Sequence, residues 1–270
     1  MSFQPERIQH VLQNIPSFRA GESIRSAFTL FGKDAGTPIF ALIILILISA
    51  PIEYLDEFTN EYGLFSGAYG ILVSPILSAG WLYIAHNVRN HGKGNVGDLF
   101  AGFKDKAGTL IVLNILVSII TLAAIAIPLG LGLTEFLAYY ASSGFDNNAI
   151  LEYDFTGFTT GMIIAISAAF ILGFYFTAAY FLAPAFVVFF NLGAWEAMEA
   201  SRKVFNKNIG SYIAVGILLI LLNIGGAIAL LIGLLVTIPV SAYTTYTIFQ
   251  EVADLPDNDE DSLLDELQEG

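Results

Sequence analysis

Gly108-Thr-Leu-Ile-Val-Leu-Asn-Ile-Leu-Val-Ser-Ile-Ile-Thr-Leu-Ala-Ala-Ile-Ala-Ile-Pro-Leu-Gly-Leu-Gly-Leu133 carries no charged side chain. A helix of this length, at about 1.5 Å per residue, is longer than the ~30 Å hydrocarbon core of a bilayer. Lys104 and Lys106 stand immediately before the run, and the loop after it, as far as Thr160, holds no base. The same asymmetry extends over the whole chain. Its eleven lysines and arginines fall in three stretches: Arg7, Arg19, Arg25 and Lys33; then Arg89, Lys93, Lys104 and Lys106; then Arg202, Lys203 and Lys207. Apolar runs separate these stretches, and the alternate polar loops carry none. Such a positive-inside pattern predicts membrane spans of fixed orientation with both termini on the cytoplasmic side.

Six spans are expected: Pro38–Tyr54, Gly63–Tyr83, Gly108–Leu133, Gly161–Ala183, Ile209–Ile224 and Gly226–Ile248. The first and fifth are short against the ~20 residues a crossing needs, so each should borrow a turn from its flanks. Pro38 suits a helix start, where its missing N–H would be unpaired anyway. Pro75, Pro128 and Pro239 lie inside spans and should kink them. The apolar run continues past Pro184 to Phe190, which predicts a bend there and a further segment near the inner surface. Asn223-Ile-Gly-Gly226 reads as a tight turn between the last two spans. Residues 1–37 form the N-terminal segment, 38–250 the membrane domain with an outer loop at about 134–160, and 251–270 the tail.

Composition agrees with this class. Of 270 residues, 56% are hydrophobic and only 13% charged, with a mean hydropathy of +0.70; soluble domains carry about 25% charged residues. The first twenty residues are polar, with Glu6, Arg7, His10 and Arg19, so the first span is expected to act as its own insertion signal. The absence of cysteine excludes disulfides and thiolate chemistry. The net charge of −13 is concentrated in the tail: Glu251–Gly270 holds nine acids and no base, which leaves the rest at −4. That block reads either as a solvated tail or, through Leu263, Leu264 and Leu267 among the acids, as a docking segment for a protein partner.

Within the six spans the only charged side chain is Glu53, at an outer end, which argues against ion transport through a buried carboxylate. Asn114, Asn223, Tyr243, Tyr246 and Thr247 are the polar residues that either join helices by hydrogen bonds or line a cavity. His86 and His91, five apart with no paired carboxylate, make a poor metal site, and neither a metal nor a cofactor is expected. No phosphate loop, nucleophile elbow or metalloprotease helix is present. Glu22–Lys33, Asp98–Lys106 and Trp195–Lys207 each place apolar residues at three and four spacing beside bases, the pattern of interfacial amphipathic helices. Arg89, Lys93, Lys104, Lys106, Arg202, Lys203 and Lys207 are the candidate contacts for anionic lipid. Offsets of 174 (Glu22 on Glu196, Lys33 on Lys207) and 72 (Phe31 on Phe103, Gly36 on Gly108) suggest a parallel repeat of a short helix followed by a helical hairpin.

Asn95-Val-Gly-Asp-Leu-Phe-Ala-Gly-Phe-Lys104, Trp195-Glu-Ala-Met-Glu-Ala-Ser-Arg-Lys203 and Gly233-Leu-Leu-Val-Thr-Ile-Pro239 resemble segments of a broad group of prokaryotic polytopic membrane proteins of unknown role. They are similar to the membrane domain attached to some glycerophosphodiester phosphodiesterases. The resemblance covers roughly Ile71 to Phe249, and the catalytic domain has no counterpart here. It implies an all-α, six-helix core in a bacterial or archaeal cytoplasmic membrane and brings no chemistry with it. The expected function is a non-enzymatic scaffold or subunit that contacts lipid or protein at the inner face. The alternative is a channel or transporter for a small or amphipathic solute. Nucleic acid is not an expected partner; a homo-oligomer is compatible with the sequence.

Overall fold

The computed structural model describes residues 11–13, 15–59, 63–146, 148, 159–229 and 232–253. Among them every regular element is helical: α1 (Ala20–Lys33), α2 (Gly36–Thr59), α3 (Leu64–Leu72), α4 (Ser74–His91), a 3-10 turn (Val96–Phe100), α5 (Gly102–Asp105), α6 (Ala107–Gly132), α7 (Thr134–Ser142), α8 (Thr159–Ala179), α9 (Ala183–Phe190), α10 (Ala194–Lys207), α11 (Ile209–Ile228) and α12 (Leu234–Ala253). Four stretches are long and apolar enough to cross a membrane: Gly36–Thr59, Ala107–Gly132, Thr160–Phe190 and Ile209–Ile228. At most 22% of any of their hydropathic windows is buried by protein, so another apolar medium must cover the remainder. The pair α3 and α4, bent by 42°, makes a fifth if counted as one broken span.

The break in that pair falls at Val73, one residue before Ser74-Pro75, where the pyrrolidine cannot continue the hydrogen-bond ladder. Two ends stabilise the short α3. The Asp56 carboxylate of α2 accepts the backbone N–H groups of Phe65 (2.7 Å) and Ser66 (2.9 Å), satisfying its first turn. At the other end the Asn114 amide donates to the Gly70 carbonyl at 3.1 Å.

α12 is not among the apolar stretches. It carries Thr237, Ser241, Thr244, Thr247, Gln250 and Glu251, and most of its length is buried inside the protein. The turn expected at Asn223–Gly226 is instead helical, since α11 runs on to Ile228. The glycines there serve close packing: a Cβ on Gly226 would fall 2.6 Å from the Thr237 hydroxyl. The run past Ala179 is interrupted at 180–182, next to Pro184, but α9 then buries Ala185, Phe186, Val187 and Phe190 instead of lying on a surface.

The described residues divide into two compact units, one within Met1–Asn114 and Phe181–Gly270, the other within Ile115–Tyr180. In the first, α1 packs along α12 and α11, α4 along the 3-10 turn and α12, and α9 along α10. The apolar stripes of α1 (Ala20, Ala27, Leu30, Phe31) and α10 (Ala197, Met198, Val204, Phe205) are thus covered by protein. An amphipathic period specifies an apolar neighbour and does not say whether that neighbour is lipid or another helix. In the second unit, α6 and α8 approach closely at Gly132, where a Cβ would meet Ala165 Cβ at 2.4 Å, and at Gly173, opposite Ile125 at 2.9 Å.

Candidate functional site

The basic stretches converge on one part of the first unit, and three polar locks position them. The first joins α1 to α12. The Ser23 hydroxyl, fully buried, donates to Glu251 Oε1 at 2.8 Å, and the Thr247 hydroxyl donates to the Ser23 carbonyl at 2.9 Å. Burial first, and then the Glu22 charge, raise the Glu251 carboxyl above its ordinary value against the opposing hydrogen bonds. Thr244 and Ser241 return their hydroxyls to carbonyls one turn earlier, Val240 at 2.8 Å and Thr237 at 2.7 Å. Such back-bonding lets α12 carry hydroxyls through an apolar interior.

The second lock is Asp34, between α1 and α2. Its carboxylate accepts the Thr37 hydroxyl (2.7 Å), the Thr37 N–H (3.2 Å) and the Gly94 N–H (2.9 Å). Burial opposes its ionisation, but these bonds and the Lys93 charge prevail and hold it below its ordinary value. The third is the segment Asn95–Lys104. Asn95 caps the 3-10 turn by accepting the Gly97 N–H at 2.8 Å, and Asp98 accepts the Asn87 amide at 2.6 Å. Gly80 allows the contact, because a Cβ there would lie 2.3 Å from the Leu99 carbonyl oxygen. Gly102, where a Cβ would lie 2.9 Å from Ile76 Cγ2, and Asp98 are thus accounted for by packing against α4.

These locks fix the bases. Arg202 forks onto Glu199 (2.9–3.1 Å), with Lys203 3.9 Å away, and the Arg202 bonds hold Glu199 below its ordinary value. Lys106 donates to the Asn191 side chain, which ties the residue after α5 to the residue after α9. Arg89 is half-buried, while Lys93, Lys104 and Lys207 are exposed. Beside them stand exposed aromatics: Phe100 (40%), Phe103 (43%) and Trp195 (66%). Exposed aromatic rings beside bases in the sequence are side chains that a headgroup layer or an acidic, apolar peptide could meet.

The candidate cavity residues do not come together. Asn223 lines an open apolar depression of about 540 Å³ with Leu219, Ile220, Ile224, Ala227 and Ser241, and donates to Ser241 at 2.9 Å. Asn114 braces Gly70. Tyr243, Tyr246 and Thr247 lie in the core. Leu263, Leu264 and Leu267 fall outside the described residues. His86, grouped with His91 on sequence, belongs to the body of α4: its ring meets the Tyr246 hydroxyl at 3.1 Å and the Asn90 amide at 2.9 Å, against Phe189. Its lateral partner on α12 gave no signal in local sequence. No group of three or more metal-ligating side chains exists among the described residues. Comparison with known proteins finds no matching family model, curated protein or solved structure.

Proposed function

We propose that this chain is a non-enzymatic integral protein of a bacterial or archaeal cytoplasmic membrane, crossing it six times with both termini inside. It acts as a scaffold or subunit that holds protein or lipid at its inner face. The observation that carries the reading is the exposure of the adjacent Phe100, Phe103 and Lys104, and of Trp195 on α10, on a body tied together by the hydrogen bonds of Asp34 and Asp98. A sixth crossing by α12 is supported by its 20 residues, about 30 Å of helix, and by its enclosure in protein, which removes the need for an apolar surface. The parallel repeat is supported by the helix bounds: α1 and α10 both have 14 residues and start and end 174 positions apart. The resemblance to prokaryotic polytopic membrane domains supports the same core.

The test is recovery of partners from the native membrane with a tagged chain, whole or ending at Ala253. A stoichiometric protein lost on truncation is the expected result; identical recovery by both forms refutes the docking role of the tail. The depression at Asn223 and Ser241 favours a second reading, a channel or transporter for an amphipathic solute. Solute flux in proteoliposomes that is abolished by Asn223→Leu would establish it, and flux unchanged by that substitution would remove this lining.

A further inference from the structure

Asn223 sits on α11, one of the four stretches long and apolar enough to cross a membrane, and the helix ends five residues later at Ile228. That places the side chain ~7–8 Å inside the end of a helix whose length matches the ~30 Å hydrocarbon core. Both hydrogens of its amide are committed: Nδ2 donates to the Leu219 carbonyl at 2.8 Å and to the Ser241 hydroxyl at 2.9 Å. A carbonyl only accepts, so the first of these bonds fixes which end of the amide is nitrogen. The Ser241 proton goes in turn to the Thr237 carbonyl at 2.7 Å. Asn223 Oδ1 is left with no partner among the described residues.

That residue lines the depression of about 540 Å³, whose walls include the exposed Ile220, Ile224 and Ala227. Small-molecule sites have this build, about 300–1,000 Å³ of mostly apolar wall with a few polar groups that fix orientation. In hydrocarbon there is no water to satisfy a lone acceptor, so whatever fills the depression must bring the donor. A second copy of this face brings none, because the exposed side chains of α11 around it, Ile217, Ile220, Leu221, Ile224 and Ile228, are hydrocarbon. Pairing Asn223 with its own copy would break one of the two amide bonds already made. A charged head group is excluded by depth, since an ammonium would have to leave water to reach the oxygen.

We propose that the depression binds a neutral membrane lipid bearing a single hydroxyl, such as a diacylglycerol, whose O–H donates to Asn223 Oδ1 while its chains lie along Ile220, Ile224 and Ala227. The inference rests on the proposed function only for the membrane placement of α11, and it adds a ligand class that neither scaffolding nor transport requires.

The purified full-length chain, in nanodiscs of phosphatidylcholine (a lipid with no hydrogen-bond donor), is photolabelled with a diacylglycerol that carries a diazirine in one chain. The methyl ether of the same compound, which keeps the chains and loses the donor, is used in parallel, and mass spectrometry locates and quantifies the adducts. The free alcohol is expected to label residues 219–227 saturably and about tenfold more strongly than the ether, the effect of one hydrogen bond. Varying the ligand in this way tests the bond with no risk to folding. Ala227→Phe, which fills the depression from an exposed position and leaves the Asn223 bonds in place, is expected to abolish the adduct. Equal labelling by alcohol and ether overturns the proposal and leaves only lipid in general contact with the helix, as does an alcohol adduct that persists in Ala227→Phe. Ile220→Cys, in a chain with no other cysteine, tests the remaining occupant. An inter-chain disulfide there that excess diacylglycerol does not suppress gives the face to a second copy and overturns the proposal too. Partner recovery and solute flux are separate readouts, so either can fail while the labelling stands, and the labelling can fail while either holds.

Discussion

Gly80→Ala is the substitution for which the geometry makes the most demanding statement. The added Cβ would lie 2.3 Å from the Leu99 carbonyl oxygen and 2.6 Å from Leu99 Cα. A carbon and a carbonyl oxygen normally approach no closer than about 3.3 Å, so α4 and the 3-10 turn must separate by roughly 1 Å. The obstructing atoms are backbone and have no rotamer to escape into. Separation would stretch the 2.6 Å Asn87–Asp98 bond and uncover Leu99, which is fully buried. Overpacking of this kind costs about 1–3 kcal/mol, and the backbone clash puts it at the upper end. The better helix propensity of alanine returns about 1 kcal/mol, leaving a net loss of about 2 kcal/mol. At about 2–4 °C per kcal/mol for a chain near this size, Tm should fall by roughly 4–8 °C. Trp81, buried on the same helix, reports unfolding by fluorescence once Trp195, the other tryptophan, is replaced by Phe. Gly67→Ala is the control: nothing lies within 4 Å of its Cβ, so only the propensity gain of about 1 kcal/mol remains and Tm should rise. A Gly80→Ala protein that melts with or above the parent refutes the packing of Asn95–Lys104 on α4.

Asp56→Ala should free the Phe65 and Ser66 amides, lowering stability and accelerating hydrogen exchange at those two positions first. Tyr246→Phe removes the hydroxyl bonded to His86 and should cost about 1 kcal/mol, whereas Tyr243→Phe, whose hydroxyl has no partner among the described residues, should be neutral or stabilising by thermal melt. Asp34 and Glu251 give opposite pH dependences. Asp34 is depressed in the fold, so its contribution is present above the ordinary carboxylate range and is lost as pH falls through its folded value. Glu251 is raised, so its contribution is present below the ordinary range and is lost as pH rises through its folded value. Melting curves from pH 3 to 8 should therefore lose the acid-side decline in Asp34→Asn and the loss on rising pH in Glu251→Gln.

The helical class, the two short basic helices at Ala20–Lys33 and Ala194–Lys207 and all four of the apolar stretches could be read from sequence, because charge-free length and a 3.6-residue period are local properties. What covers a stripe is not local. Phe31 and Phe205 carry the same period whether they meet lipid or, as here, the interior of the protein. Thr247 and its polar neighbours on this helix could either join helices or line a cavity; Ser241, Thr244 and Thr247 are satisfied within their own helix or by Ser23, more than two hundred residues earlier. Asp56 is engaged by the Phe65 and Ser66 amides in the first turn of α3, a pairing that no local period announces. The basic residues were all identifiable, but which of them is paired with a carboxylate or an amide depends on where Glu199 and Asn191 fall in space.

The Ser23 clasp joins nearly the first helix made to the last. Between Lys33 and Ala253 lie 220 residues, so at roughly 5–20 residues per second α1 waits on the order of ten to forty seconds for its cover. Through that interval Ala27, Leu30 and Phe31 have no α12 to lie against and must be sheltered by the membrane surface or an insertase. A ribosome that stalls before α12 would release a chain still displaying that stripe, the kind of exposed apolar segment that membrane proteases remove.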